Sequence, residues 1–130
     1  MIRLIITITL VTTFSNLSNS QDISGSWNWE YEGKHTTGFY LEEESPNTYT
    51  GNYCSTFYDG KKIDCSEDLN EVCVTLEKIS QNVFIGTFES PSFDGLGEIK
   101  LTYENTTNRL KLEVLSSNGE FYLPNDVFFE

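Results

Sequence analysis

Almost everywhere after Trp27, apolar and polar residues trade places one by one. Trp27, Trp29 and Tyr31 alternate with Ser26, Asn28 and Glu30; Thr37, Phe39 and Leu41 alternate with Gly38, Tyr40 and Glu42. The same period of two runs through Val72, Val74 and Leu76, through Phe84, Gly86 and Phe88, through Gly97, Ile99, Leu101 and Tyr103, and through Leu110, Leu112 and Val114. A period of two places one set of side chains on one face of a strand, whereas a helix needs a period of 3.6. No stretch of useful length carries the helical period. The chain also contains no alanine, the residue that most favours helix, while aromatic residues make up 14%. A helical bundle is excluded, and so is a disordered chain.

Turn signals divide the alternation into eight or nine short strands at about 10–12-residue spacing: Gly33, Ser45-Pro46-Asn47, Asp59-Gly60, Ser80-Gln81-Asn82, Pro91, Asn105 to Asn108, Asn118-Gly119 and Pro124-Asn125. Phe121 to Leu123 and Val127 to Phe129 are the last expected strands. The pattern predicts a single all-β domain, an antiparallel up-and-down meander closed into a barrel, with a β-sandwich as the alternative. Closure removes the exposed sheet edges of such a meander. No linker, repeat or low-complexity segment divides the chain.

Residues 1–20, MIRLIITITLVTTFSNLSNS, read as a secretory signal peptide. Arg3 gives the positive start, residues 4–14 the apolar stretch, and Ser18-Asn19-Ser20 the small residues before a cut ahead of Gln21. An apolar stretch of about 11 residues is too short to span a bilayer, which takes roughly 20. The expected location is therefore secreted or periplasmic, with residues 21–130 as the folded domain. The charge of the whole chain is −12, from 8 basic and 20 acidic residues. Only Arg3 among these lies in 1–20, so the remainder carries −13. That field repels phosphate backbones and anionic membranes, which argues against nucleic acid and membrane insertion; it either serves solubility alone or draws a cationic protein partner.

Export permits disulfides, and three cysteines, Cys54, Cys65 and Cys73, allow one bridge and a leftover thiol. Of the three possible pairings, the Asp59-Gly60 turn favours one. A two-residue loop sets Tyr58 opposite Lys61, and counting back sets Phe57 opposite Lys62, Thr56 opposite Ile63, Ser55 opposite Asp64 and Cys54 opposite Cys65. The last two become cross-strand neighbours at about 5.5 Å, within disulfide reach. Cys73 is left as a buried thiol. Three cysteines and one histidine without a paired CxxC do not form a zinc site.

Gly25-Ser26-Trp27 opens the first strand and resembles the G-x-W signature of the calycin superfamily, which includes lipocalins, fatty-acid-binding proteins and avidins. The resemblance implies a barrel whose Trp27 plugs one end, with a basic side chain of a late strand packed across it. Arg109 is the only arginine after residue 20 and stands at the start of a late strand. The Cys-bracketed segment GNYCSTFYDGKKIDC (51–65) is also similar to that of uncharacterised small secreted proteins of Bacteroidota, a likeness that implies no activity.

Catalytic patterns are absent. His35 is the only histidine, expected on an exposed turn, and no nucleophile or orienting acid accompanies it. Fourteen glutamates make any carboxylate pairing uninformative, and there is no phosphate loop, dinucleotide fingerprint or calcium loop. The sequence thus predicts a non-enzymatic protein without a cofactor. Its expected role is a lipocalin-like barrel that binds a small apolar or aromatic ligand through Trp29, Tyr31, Phe39, Tyr40, Phe84 and Phe88. The alternative is an acidic secreted inhibitor or immunity-type protein for a cationic partner, carried by acids such as Glu42, Glu43, Glu44, Glu67 and Asp68.

Overall fold

The computed structural model describes residues 21–68 and 70–130, so the expected signal segment lies outside the described residues. The described chain is all β. Nine strands follow in order: β1 (Gly25–Tyr31), β2 (His35–Ser45), β3 (Thr48–Phe57), β4 (Lys62–Cys65), β5 (Val74–Ser80), β6 (Val83–Glu89), β7 (Leu96–Glu104), β8 (Arg109–Asn118) and β9 (Val127–Phe129). All pair antiparallel in one sheet, in the order β1-β2-β3-β5-β6-β7-β8-β9, with β4 beside β3. The sheet curls into a nearly closed barrel rather than a sandwich. Its ends meet where Asn28 of β1 and Glu130, just after β9, exchange both backbone hydrogen bonds, at 2.7 and 2.9 Å.

Period two sets the inside. Phe39 and Leu41, Phe84 and Phe88, Ile99 and Leu101, and Leu110 and Leu112 are all buried, together with Tyr49, Tyr53 and Phe129. Curvature demands close backbone approach at Gly86, where an added Cβ would fall 1.7 Å from the Thr75 carbonyl oxygen.

The hairpin register is the one that Asp59-Gly60 dictates. Cys54 pairs with Cys65, Ser55 with Asp64, Thr56 with Ile63 and Phe57 with Lys62. Asp59 and Gly60 both take positive φ, and the Lys61 N–H donates to the Tyr58 carbonyl at 3.2 Å. Cys54 and Cys65 form the disulfide, with Cα atoms 3.9 Å apart, nearer than the about 5.5 Å of a hydrogen-bonded cross-strand pair. A disulfide belongs to an oxidising, non-cytoplasmic environment. Cys73 is the buried free thiol, and burial raises its pKa. Peptide mapping without reductant should recover the Cys54–Cys65 pair. Cys73 should react with a thiol reagent only after unfolding, because a raised pKa and burial both withhold the thiolate. Fast labelling of Cys73 in the folded protein would contradict its buried position.

Two local expectations fail. Asn118-Gly119 does not close a tight hairpin, and residues 121–123 are not a strand. Gly119 turns the chain at φ +81, and the following backbone spends its groups outside any ladder: the Glu120 carbonyl accepts from the Gly95 N–H, and the Tyr122 N–H donates to Asp64. Val72 is exposed and precedes β5, which begins at Val74; Cys73 bonds across to Gly51 and Glu89 instead. In addition, β3 has two partners on one edge. Cys54–Phe57 pairs with β4, and Thr48–Gly51 pairs with β5. Nothing in the alternation distinguishes a strand with one partner from a strand with two.

Candidate functional site

A buried carboxylate organises one end of the barrel. Asp64 is fully buried on β4, with Ile63 turned out to solvent. Its Oδ1 accepts from the Ser90 hydroxyl at 2.6 Å and the Ser92 N–H at 3.1 Å. Its Oδ2 accepts from the Tyr53 hydroxyl at 2.7 Å and the Tyr122 N–H at 2.9 Å. Four donors on two oxygens suit the acceptor-only carboxylate, and this set satisfies a buried charge without a cation. Burial, and then the bond to Asp64, holds the Tyr53 phenol far above its ordinary pKa. The four donors come from β3, the β6–β7 loop and the β8–β9 link. Asp64 thereby fixes two otherwise irregular segments against the disulfide hairpin. Ser90 Oγ also accepts the Phe93 N–H at 3.0 Å, and so holds the backbone that carries the Phe93 ring.

On this frame stands a continuous run of aromatic rings. Tyr31, at the end of β1, stacks on His35 of β2 with ring centres 6.1 Å apart. His35 lies 4.9 Å from Phe57 and 5.1 Å from Tyr58. Phe57 meets Trp29 at 6.1 Å and Tyr122 at 5.7 Å. Tyr122 completes the run with Tyr58 at 6.4 Å and Phe93 at 5.3 Å. Tyr31 and Tyr58 are each 55% exposed, so the run opens to solvent. Beside it, Glu120 Oε2 accepts from the Tyr122 hydroxyl at 2.6 Å and from Lys62 Nζ at 3.4 Å. Lys62 Nζ sits 5.7 Å from the Phe93 ring centre and 5.9 Å from that of Tyr122. The Glu120 charge raises the Lys62 pKa, and the Tyr122 hydroxyl and Lys62 lower that of Glu120.

Of the six residues expected to line a ligand site, only Trp29 and Tyr31 belong to this run. Phe39, Phe84 and Phe88 are buried in the core, while Tyr40 is exposed on the outer surface, where its hydroxyl donates to Glu42 at 3.3 Å. The six do not face one cavity. His35 is half-buried in β2 rather than on an exposed turn, and its Nδ1 accepts the Tyr58 N–H at 3.2 Å. Phe57, Tyr58, Phe93, Tyr122, Lys62 and Glu120 were not expected. One sequence signal pointed to part of the site: in an antiparallel meander, residues flanking Gly33 and Asp59-Gly60 meet at the same end.

At the opposite end Trp27 is buried, as the G-x-W resemblance implies. Its Nε1 donates to the Ile23 carbonyl at 2.9 Å, and its ring partner is Tyr103, edge-on at 6.2 Å. Arg109 does not pack across Trp27. It lies over Phe128, 4.0 Å from the ring centre, and pairs with Glu104 at 3.2 Å. Parity explains the correction. Leu110 points inward, so Arg109 points out, where Phe128 covers the register position beside it.

Two open clefts of about 530 and 550 Å³ also mark the surface. Trp29 lines the first, with Asn28, Glu30, Gly38, Cys54 and Glu130; Ser24, Gly25, Tyr40 and Glu42 line the second. Of the rings in the run only Trp29 reaches the first cleft, and none reaches the second. No protein-family model matches the chain, and no curated protein or solved structure is significantly similar to it.

Proposed function

We propose that the protein is an exported, non-enzymatic binding module that takes a small ligand with a flat apolar or aromatic face. The ligand lies on the aromatic end of the barrel rather than inside it. The observation that carries this reading is the run from Tyr31 to Phe93, which remains partly exposed although rings are costly to leave in water. The core supports the same placement, because Phe39, Tyr53, Phe84, Phe88 and Phe129 fill the space an internal ligand would need. The non-enzymatic part rests on His35, whose Nδ1 is occupied by a backbone N–H and whose ring neighbours are aromatic. A lipocalin-like relationship is supported by the meander and the buried Trp27, though Arg109 departs from the expected stack.

The expected result is saturable binding of a neutral aromatic probe, N-phenyl-1-naphthylamine, followed by its fluorescence. Replacing both Tyr31 and Tyr58 with alanine should weaken it at least tenfold while leaving stability nearly unchanged, since both side chains are exposed. Unchanged affinity in that variant would place binding elsewhere and end this reading.

The alternative reading is an acidic protein for a cationic partner. It is favoured by the opposite end, where the Tyr49 hydroxyl lies 3.2 Å from both Asp22 and Glu43, next to the exposed Glu42 and Glu44. Association there would slow steeply with added salt.

A further inference from the structure

We infer that Phe93, Tyr122 and Glu120 form an ammonium-binding subsite of the aromatic end, and that Lys62 fills it in the free protein. The inference rests on the aromatic end being the binding face, and it adds a charge to the ligand: an organic cation joined to the flat group. The geometry is that of a cation box. Two ring faces lie 5.7 and 5.9 Å from an ammonium nitrogen, and a carboxylate oxygen lies 3.4 Å from it. Ring faces are negative and attract cations, most strongly where a carboxylate closes the box. The frame is preset by contacts that do not involve Lys62. The Tyr122 hydroxyl holds Glu120, Asp64 holds the Tyr122 backbone, and Ser90 holds that of Phe93.

Lys62 itself is a weak occupant. It and Glu120 are each 45% exposed, and a flexible four-carbon stem carries the charge. A bound cation with apolar substituents would cover both rings, release Lys62 to solvent and find Phe57 and Tyr58 next to Tyr122 for its flat part. In a chain of such negative charge, a cationic ligand is also the one the overall field draws in.

The test uses tetramethylammonium chloride, titrated against sodium chloride at equal ionic strength, with the aromatic proton resonances of Tyr122 and Phe93 as the readout. Replacing Lys62 with methionine keeps the apolar stem and empties the box. Lys62→Met protein should bind tetramethylammonium at least tenfold more tightly than wild type. Adding Glu120→Gln should remove most of that gain, and adding Tyr122→Leu should abolish it. A circular dichroism melt of each variant separates lost binding from lost folding. No saturable shift in folded Lys62→Met protein, or the same shift in the Tyr122→Leu double variant, would overturn the subsite. The neutral probe reads the aromatic face independently, so the face can stand if the subsite falls.

Discussion

Replacing Asp64 with alanine should lower the unfolding free energy by about 3–5 kcal/mol, the range for breaking a buried, fully hydrogen-bonded charge network. The change leaves the Tyr53 and Ser90 hydroxyls and the Ser92 and Tyr122 amides without their acceptor, the two hydroxyls on buried residues. Asp64→Asn is the sharper test because it preserves shape. Whichever way the amide is turned, its NH2 group faces either the Ser92 or the Tyr122 N–H. Those backbone donors cannot rotate away, although the hydroxyl on each side can turn to accept. One opposed donor pair and the lost charge should cost about 2–4 kcal/mol. Urea denaturation followed by far-ultraviolet circular dichroism measures both. The consequence reaches the surface, because the β8–β9 link and the β6–β7 loop are bonded to Asp64. Folded Asp64→Asn protein should therefore also lose affinity for the neutral aromatic probe. A loss below 1 kcal/mol in Asp64→Asn would show that the network is dispensable and that something else holds the aromatic end.

The legibility of this fold divides along a physical line. Interactions set by counting were visible in the chain. Period two placed Phe39, Leu41, Phe84, Phe88, Ile99 and Leu101 inside, and the Asp59-Gly60 turn set Cys54 opposite Cys65. Both depend on neighbours within one hairpin. What the chain concealed depends on partners far away in sequence. Asp64 and Tyr122 are 58 residues apart, and their bond replaced an expected strand with an irregular link. Asp64 itself reads as a surface residue between Ile63 and Cys65; its burial follows only once Ser55, opposite it, is known to face inward. The aromatic end was hidden for the same reason. Its rings come from β1, β2, β3, the β3–β4 turn, the β6–β7 loop and the β8–β9 link, and three of the seven, Tyr31, His35 and Phe57, stand at strand ends. Arg109 shows the limit of a short motif. The likeness named a late-strand cation, but parity at Leu110 decided which ring it meets.

The opposite end of the barrel supplies the second large effect. Trp27→Ala should cost about 3–5 kcal/mol, the usual range for deleting a large buried aromatic side chain. The ring is only 7% exposed, it lies edge-on to Tyr103, and its Nε1 hydrogen satisfies the carbonyl of the fully buried Ile23. Alanine would open a cavity against Tyr103 and leave that carbonyl unbonded, and both penalties act together. Trp27→Phe should recover most of the packing but not the hydrogen bond, leaving a loss of about 1–2 kcal/mol. Arg109→Ala provides the contrast. Its guanidinium stacks on the half-buried Phe128 near the surface, so its removal should cost less than about 1 kcal/mol. That order, Trp27→Ala well above Trp27→Phe and Arg109→Ala smallest, follows from a plug held by Tyr103 and the Ile23 carbonyl. If Arg109→Ala proved as costly as Trp27→Ala, the arginine would be part of the plug after all. If Trp27→Ala cost under 1 kcal/mol, Trp27 would not close this end, and the G-x-W likeness would carry no structural meaning here.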